Sequence, residues 1–302
     1  MPELIIYMYH YVRDAEKTEF PKMHAISAGD FKEHVKKIQK EHEIISLLDV
    51  LSAIDGKSAL PPKSCVLSFD DGLKDHYENV FPVLKERGLS GAFFPMTATL
   101  EGMVPDVNKL QFLLAKAGTG LLVTEFNIFL KSQPPDIRGK YEIKDNEKIG
   151  SRYRFDDVLT ANLKAIMQML PQEVKSLFLN KIFKKFLGDE KSLTKKLYLS
   201  EEEIREMGEA GMVIGSHTHT HPRLDQLSAE DAELELKKSK DILEIVVNKP
   251  INIISYPYGS YNDETLVILQ KLGYAMALGT ETGINEEKMN RWALKRLNAN
   301  SI

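Results

Sequence analysis

The chain has 302 residues, 43% hydrophobic and 28% charged, an ordinary globular composition with ample length for a closed core. A formal charge of −4 offers no broad basic surface for nucleic acid, and no run approaches the ~18 apolar residues needed to cross a bilayer. The single cysteine, Cys65, excludes an intrachain disulfide; with no basic leader before the apolar run of "MPELIIYMYHYVRD", a cytoplasmic location is expected.

In chain order, "LIIYMYHY" (4–11) reads as a strand and "AGDFKEHVKKIQKEH" (28–42) as an amphipathic helix with Phe31, Val35 and Ile38 on one face. "EIISL" (43–47) is a short strand, "DVLSAI" (49–54) a short helix and "CVLSF" (65–69) a buried strand. "ENVFPVLKERG" (78–88) is a helix closed by glycine, and "SGAFFPM" (90–96) is the next strand. Residues 100–198 hold helical stretches such as "KLQFLLAKAG" and "NLKAIMQML" but no clear strand, and "KIFKKFLGDEKSLTKK" (181–196) reads as solvated helix faces. "SEEEIREMGEAG" (200–211) then opens on a capping box, with Ser200 at the N-cap and Glu203 three residues on. "MVIGS", a helix near 228–247, "INIISYP", a helix near 262–272 and "YAMALGT" follow.

The count is seven strands: 4–10, 44–47, 65–69, 91–96, 212–216, 252–256 and 275–279. Such alternation implies parallel strands with right-handed crossovers, which tend to close into a barrel at seven or eight units. The expected fold is α/β, a barrel of residues 1–99 and 199–302 with a mainly helical insertion at 100–198. In barrels of this kind the chemistry gathers at the C-terminal strand ends.

Those ends carry His10, then Asp70 and Asp71 of "SFDDG", then "SHTHTHP" (216–222) and "SYPYG" (255–259). Taken alone, Asp-Asp-Gly is turn chemistry, and three histidines can be a polar loop. If 217–221 were extended, His217 and His221 would stand about 13 Å apart, too far for one ion. If the chain curls, positions i and i+4 come within ~5–6 Å, and His219 points elsewhere. Two histidines and one carboxylate leave a fourth position open, as in a catalytic rather than a structural zinc site. The adjacent acid is then free to reach a water. The Tyr258 backbone N–H, between Pro257 and Gly259, is a candidate oxyanion donor. His24, His34, His42 and His76 read as exposed residues of helices or loops.

"SFDDG", "SHTHTHPRL" and "YPYG" resemble three motifs of the polysaccharide deacetylase (NodB-homology) family. The resemblance covers roughly residues 1–100 and 199–302. It implies a distorted seven-stranded (β/α) barrel with Asp70 as catalytic base and Asp71, His217 and His221 as ligands of zinc or a related divalent ion; nitrogen–oxygen ligation suits zinc, cobalt and nickel alike. It also implies oxyanion binding at the Tyr258 backbone and removal of acetyl groups, usually from sugars. The family's third motif carries an arginine where Ser255 stands here, so Arg296 or Arg291 is expected to supply that charge. No histidine follows His221. "MYH" (8–10) looks like the missing closing motif moved to the N-terminus, as in the subgroup that deacetylates poly-N-acetylglucosamine, which would make His10 the general acid.

The expectation is metal-assisted hydrolysis of an N-acetyl group on a polysaccharide, an oligosaccharide or a linked sugar precursor. The cation would lower the pKa of a water from 15.7 to about 7. Two alternatives keep the scaffold: hydrolysis of another small or cyclic amide, and a non-catalytic glycan-binding relative. Nothing in the insertion's spacing selects among a lid, a homo-oligomer surface and a dock for a membrane-bound partner.

Overall fold

In this computed structural model the described residues are 3–144, 149, 156–286 and 288–299. Strand and helix alternate from the start. β1 (Glu3–Tyr9) is followed by α1 (Ala28–Glu41), β2 (Glu43–Ile44), α2 (Leu47–Ile54) and β3 (Lys63–Asp71). α1 begins where the Ser27 side chain accepts the Asp30 N–H, and it buries Phe31, Val35 and Ile38 along one stripe. β3 is buried from its second residue to its last, as a strand covered on both faces by crossover elements should be. α3 (Phe81–Glu86) and β4 (Ala92–Pro95) complete this half.

Helices then take over: α4 (Asp106–Ala117), α5 (Thr119–Leu130), α6 (Pro135–Tyr141), α7 (Val158–Met169), α8 (Gln172–Leu187), α9 (Glu190–Leu197) and α10 (Glu201–Glu209). α10 starts on the capping box read from the sequence. Glu203 N–H donates to Ser200 Oγ, and Ser200 N–H to Glu203 Oε2 at 2.8 Å. β5 (Val213–Ile214), α11 (Ala229–Val247), β6 (Ile253–Ser255), α12 (Asp263–Lys271), β7 (Met276–Leu278) and β8 (Leu297–Asn298) finish the chain.

All the ladders are parallel. One six-stranded sheet runs β5-β4-β3-β1-β8 with β2 beside β3, and β6 and β7 form a second sheet of two strands. Among the described residues the expectation of seven strands is therefore corrected to eight, and their ladders do not close as one barrel. Single parallel bridges, Ser216 to Ile254 and Leu278 to Leu294, stand where further ladders would be needed. Elements of two or three residues offer only one or two ladder bonds, so continuity lapses there. β8, the strand the sequence reading missed, is two residues long and has no apolar run to announce it.

The chain divides into two compact units: Met1–Asp14, His24–Met103 and Thr194–Ile302; and Ala15–Met23 with Val104–Leu193. The second unit encloses its own apolar cluster, including Leu113, Phe126, Phe178 and Ile182. It also takes in residues 15–23, where Phe20 packs on Phe112 at 4.9 Å. Among the described residues, no single helix is long and apolar enough to cross a membrane.

Candidate active site

β3 carries its burial through its last two residues, so Asp70 and Asp71 are delivered into protein rather than water, 2% and 3% exposed. The chain leaves through two consecutive left-handed residues, Asp71 at φ 74° and Gly72 at φ 66°. A Cβ at Gly72 would stand 2.6 Å from Pro95 Cβ, so only glycine fits this turn. Gly72→Ala is expected to lower stability by at least ~2 kcal/mol through overpacking and backbone strain. Urea unfolding checks this, and an unchanged midpoint would refute it.

Strain concentrates here. Among the described residues, the non-glycine positions with positive φ are Asp71, Thr218, His221, Tyr258 and Asn248, and the first four belong to this site. Such conformations cost of order 1–3 kcal/mol each and persist only where their surroundings enforce them. Between β5 and α11 the loop curls tightly enough to bring the His217 and His221 ring centroids to 4.8 Å. The curl is made by left-handed Thr218 and His221, not by a helical turn, and the His221 N–H donates to Thr218 Oγ1 at 3.1 Å.

Asp71 Oδ1 lies 3.5 Å from His217 Nε2 and 3.9 Å from His221 Nε2. All three side chains are buried or nearly so, and one donor atom from each falls within 4.8 Å of the others. His217 Nδ1 lies 2.7 Å from the Ser255 carbonyl oxygen, which can only accept, so Nδ1 carries a proton, and in the neutral ring Nε2 keeps its lone pair. A histidine fixed through one nitrogen with the other free is the arrangement of a metal ligand.

The electrostatics agree. Burial alone would lower the His217 pKa, but Asp70 and Asp71 outweigh it and raise the ring above its ordinary value. Burial and the neighbouring His217 push His221 down to about 3. Burial would raise Asp71, yet His217, His10 and His221 hold it well below the usual carboxylate range. The group asks for positive charge at its centre, and its donor set of two imidazoles and one carboxylate fits a divalent cation.

Asp70 stands beside this group and has a different partner. Arg296, 1% exposed, approaches both of its oxygens, Nη1 to Oδ1 at 3.0 Å and Nη2 to Oδ2 at 2.8 Å. Ser255 Oγ donates to Asp70 Oδ2 at 3.1 Å and accepts from Arg296 Nη2 at 3.0 Å. Arg296 Nε is anchored on the Gly279 carbonyl at 2.7 Å. Burial would raise Asp70, but Arg296 and then His217 reverse this and bring it down to about 2. Asp70 is therefore an ionised, oriented carboxylate. Arg291 lies elsewhere, paired with Asp55 at 2.8 Å on the surface.

His10 follows the end of β1, and its charge helps to lower both Asp70 and Asp71. Three side chains just after the Asp-Asp-Gly turn hold this segment. His76 Nε2 donates to the His10 carbonyl at 2.8 Å, and Asn79 Nδ2 to the Val12 carbonyl at 2.8 Å. Asp75 accepts from the Val12 N–H at 3.0 Å and pairs with buried Arg13. Asp75 and Asn79 give no sign of this role in the sequence, and His76, expected in solvent, is 0% exposed, with its ring packed against the stacked Phe69 and Phe93. His34, also read as exposed, is half-buried and bonded to the Tyr9 hydroxyl at 2.6 Å. A polar residue in a helix gives no local sign of a partner 25 to 67 positions away.

Tyr258 adopts φ 59° in the turn after β6, and its ring meets His221 edge-on at 4.8 Å. His219 points away from the group and pairs through Nδ1 with Thr97 Oγ1 at 2.9 Å.

A family model for polysaccharide deacetylases matches residues 57–112 and 153–277, more than half of the chain. The chain belongs to the polysaccharide deacetylase family. Its similarity to other members of that family is partial in sequence and broad in fold. It is 37% identical over 107 residues, 35% of the chain, to YxkH of Bacillus subtilis (strain 168), a protein provisionally named a polysaccharide deacetylase. It is 35% identical over 75 residues, 24% of the chain, to a chitin deacetylase of Arthroderma benhamiae. The matched segments span 38% and 20% of those relatives' own lengths. In fold, the chain resembles the Streptococcus pyogenes deacetylase PplD, with a TM-score of 0.61 at 19% identity, covering 99% of this chain and 93% of that one. A de-N-acetylase of Aggregatibacter actinomycetemcomitans gives 0.59 at 20% identity, covering 98% and 94%.

Proposed function

We propose that this deacetylase-family chain is a metal-dependent hydrolase that removes N-acetyl groups from a carbohydrate. The observation that carries the reading is the second carboxylate. Asp70 is excluded from the ligand group, pinned by Arg296 and Ser255, and ionised beside Asp71. A protein that only bound glycan would need no oriented spare base next to a cation site.

Asp71, His217 and His221 would hold the ion, and zinc, cobalt and nickel all suit that nitrogen–oxygen set. When bound, it supplies a Lewis acid that acidifies water and polarises the acetyl carbonyl. Asp70 takes the proton as the water oxygen attacks the carbonyl carbon. Arg296 keeps the carboxylate charged and aimed for that transfer. The Tyr258 backbone N–H is assigned to the developing oxyanion, one such donor being worth roughly 3 kcal/mol. His10 gives a proton to the departing sugar nitrogen as the carbon–nitrogen bond breaks, a contribution of about 10²–10⁴-fold. The products are acetate and a free amino sugar.

Acetate release from short chitooligomers, monomeric N-acetyl sugars and sugar nucleotides, measured side by side, tests this reading. At least one substrate class is expected to turn over, activity to fall at least tenfold with a chelator, and added zinc to restore it. Zinc-loaded protein that releases no acetate from any of them, but opens another amide, would replace the carbohydrate assignment.

A further inference from the structure

The two histidines that converge on Asp71 sit on a loop, residues 217–221, that has no strand or helix of its own to hold it. Two of its residues, Thr218 and His221, take the left-handed conformation that side chains disfavour. Such a path has to be enforced from outside.

One side of the loop rests on the segment after β4. The Thr97 and Ala98 N–H groups donate to the Thr218 and His219 carbonyls at 3.4 and 3.0 Å. The other side is gripped by α11. There Ser239 Oγ lies 2.8 Å from Ser216 Oγ, which also accepts the Thr218 N–H at 3.1 Å. One turn earlier on the same helix, Glu235 takes three donors from two consecutive residues. Its Oε2 accepts the His219 N–H at 3.0 Å and the Thr220 N–H at 2.8 Å, and its Oε1 accepts the Thr220 hydroxyl at 2.7 Å. Ala232, Leu236 and Ser239 bury the adjoining face of α11, so the carboxylate is delivered from an element that cannot drift. The grip falls between the two histidines, at the residues that turn the chain from one to the other.

We propose that Glu235 is a positioning residue for the metal site. It touches no ion, and it holds the left-handed path that presents the His217 and His221 nitrogens to Asp71. The proposal rests on the metal-site reading given above. Its chemistry is specific to a carboxylate, because two acceptor oxygens serve three donors. Glutamine has one acceptor oxygen, and its NH₂ would face a donor in place of the second.

Zinc affinity of the full chain, measured by competition with a chromophoric chelator, tests this for wild type, Glu235→Gln and Glu235→Ala. Glu230→Gln, elsewhere on α11, is the control. Both Glu235 variants are expected to bind zinc about 10–100-fold more weakly, the usual effect of removing a group that orients metal ligands, with the control unchanged. Activity of Glu235→Gln should recover at saturating zinc, and amide exchange at His219 and Thr220 should speed up in the metal-free variant. Loss of thermal stability with wild-type zinc affinity would reduce Glu235 to a structural role and overturn the proposal alone. Wild-type protein that binds no zinc would overturn the metal-site reading and the proposal with it. Should Glu235→Ala fail to fold, Glu235→Gln decides.

Discussion

An Asp70→Asn protein is expected to keep its cation and to lose about 10²–10⁴-fold in kcat for acetate release. The separation of the two effects follows from the geometry. Asp71, His217 and His221 form the donor group, while both Asp70 oxygens are engaged by Arg296 and Ser255. Asparagine preserves the shape and an acceptor oxygen but cannot take a proton from water. It also leaves Arg296, 1% exposed, without its counter-charge, so some stability is lost and the assay belongs well below the unfolding midpoint. Metal content by elemental analysis and kcat by acetate release together check the prediction. A variant that loses its metal would move Asp70 into the ligand set, and a kcat within tenfold of wild type would remove it from the chemistry.

Arg296→Met should have the largest effect on stability, a loss of about 3–5 kcal/mol at neutral pH, because it strands a buried carboxylate. Its pH dependence has a definite sign. In the wild type, Asp70 is held down to about 2 from an ordinary value of 3.8, despite burial, chiefly by Arg296. A depressed carboxyl contributes stability that is present above the unfolded value and lost as pH falls through the folded one. Asp70 in the wild type therefore stabilises the fold above about pH 4 and stops doing so as pH approaches 2. Without Arg296, burial would act unopposed by its largest counterweight, and the Asp70 pKa should climb. The variant's deficit should shrink as the medium becomes acidic enough to protonate the stranded group. For the same reason, the acidic limb of kcat/KM should move toward neutral pH. Urea unfolding at pH 7 and pH 4, with the rate profile, would reveal this; a deficit that ignores pH, with an unmoved limb, would contradict it.

The residues themselves disclose a good deal. Apolar runs at 4–9 and 65–69, broken by glycine and charge, announce parallel strands, and the 31, 35, 38 spacing announces the buried face of α1. "SFDDG" and "SHTHTHP" name the residues that meet around Asp71. These are local signals, because a strand end, a helix cap and a histidine spacing are written within a few positions.

What the residues left open or hid is long-range, beginning with the choice between Arg296 and Arg291 as the partner of Asp70. Arg296 reaches Asp70 because the two residues after it pair with β1, opposite Tyr7 and Met8, while β1 also pairs with β3. A two-residue strand leaves no periodicity to read. His76 looked like a surface helix residue, and the phenylalanines that bury it come from β3 and β4. Glu235 is one glutamate among several on α11, distinguished only by the loop that folds down onto it.

The sequence by itself determined which groups stand at the strand ends, because backbone alternation and turn chemistry act between neighbours. Tertiary structure alone decided which charge orients which, with Arg296 on Asp70, His76 under His10 and Glu235 on the histidine loop. The physical reason is that a buried donor or charge is satisfied by whatever lies within about 3 Å of it in space, and separation along the chain carries no information about that distance.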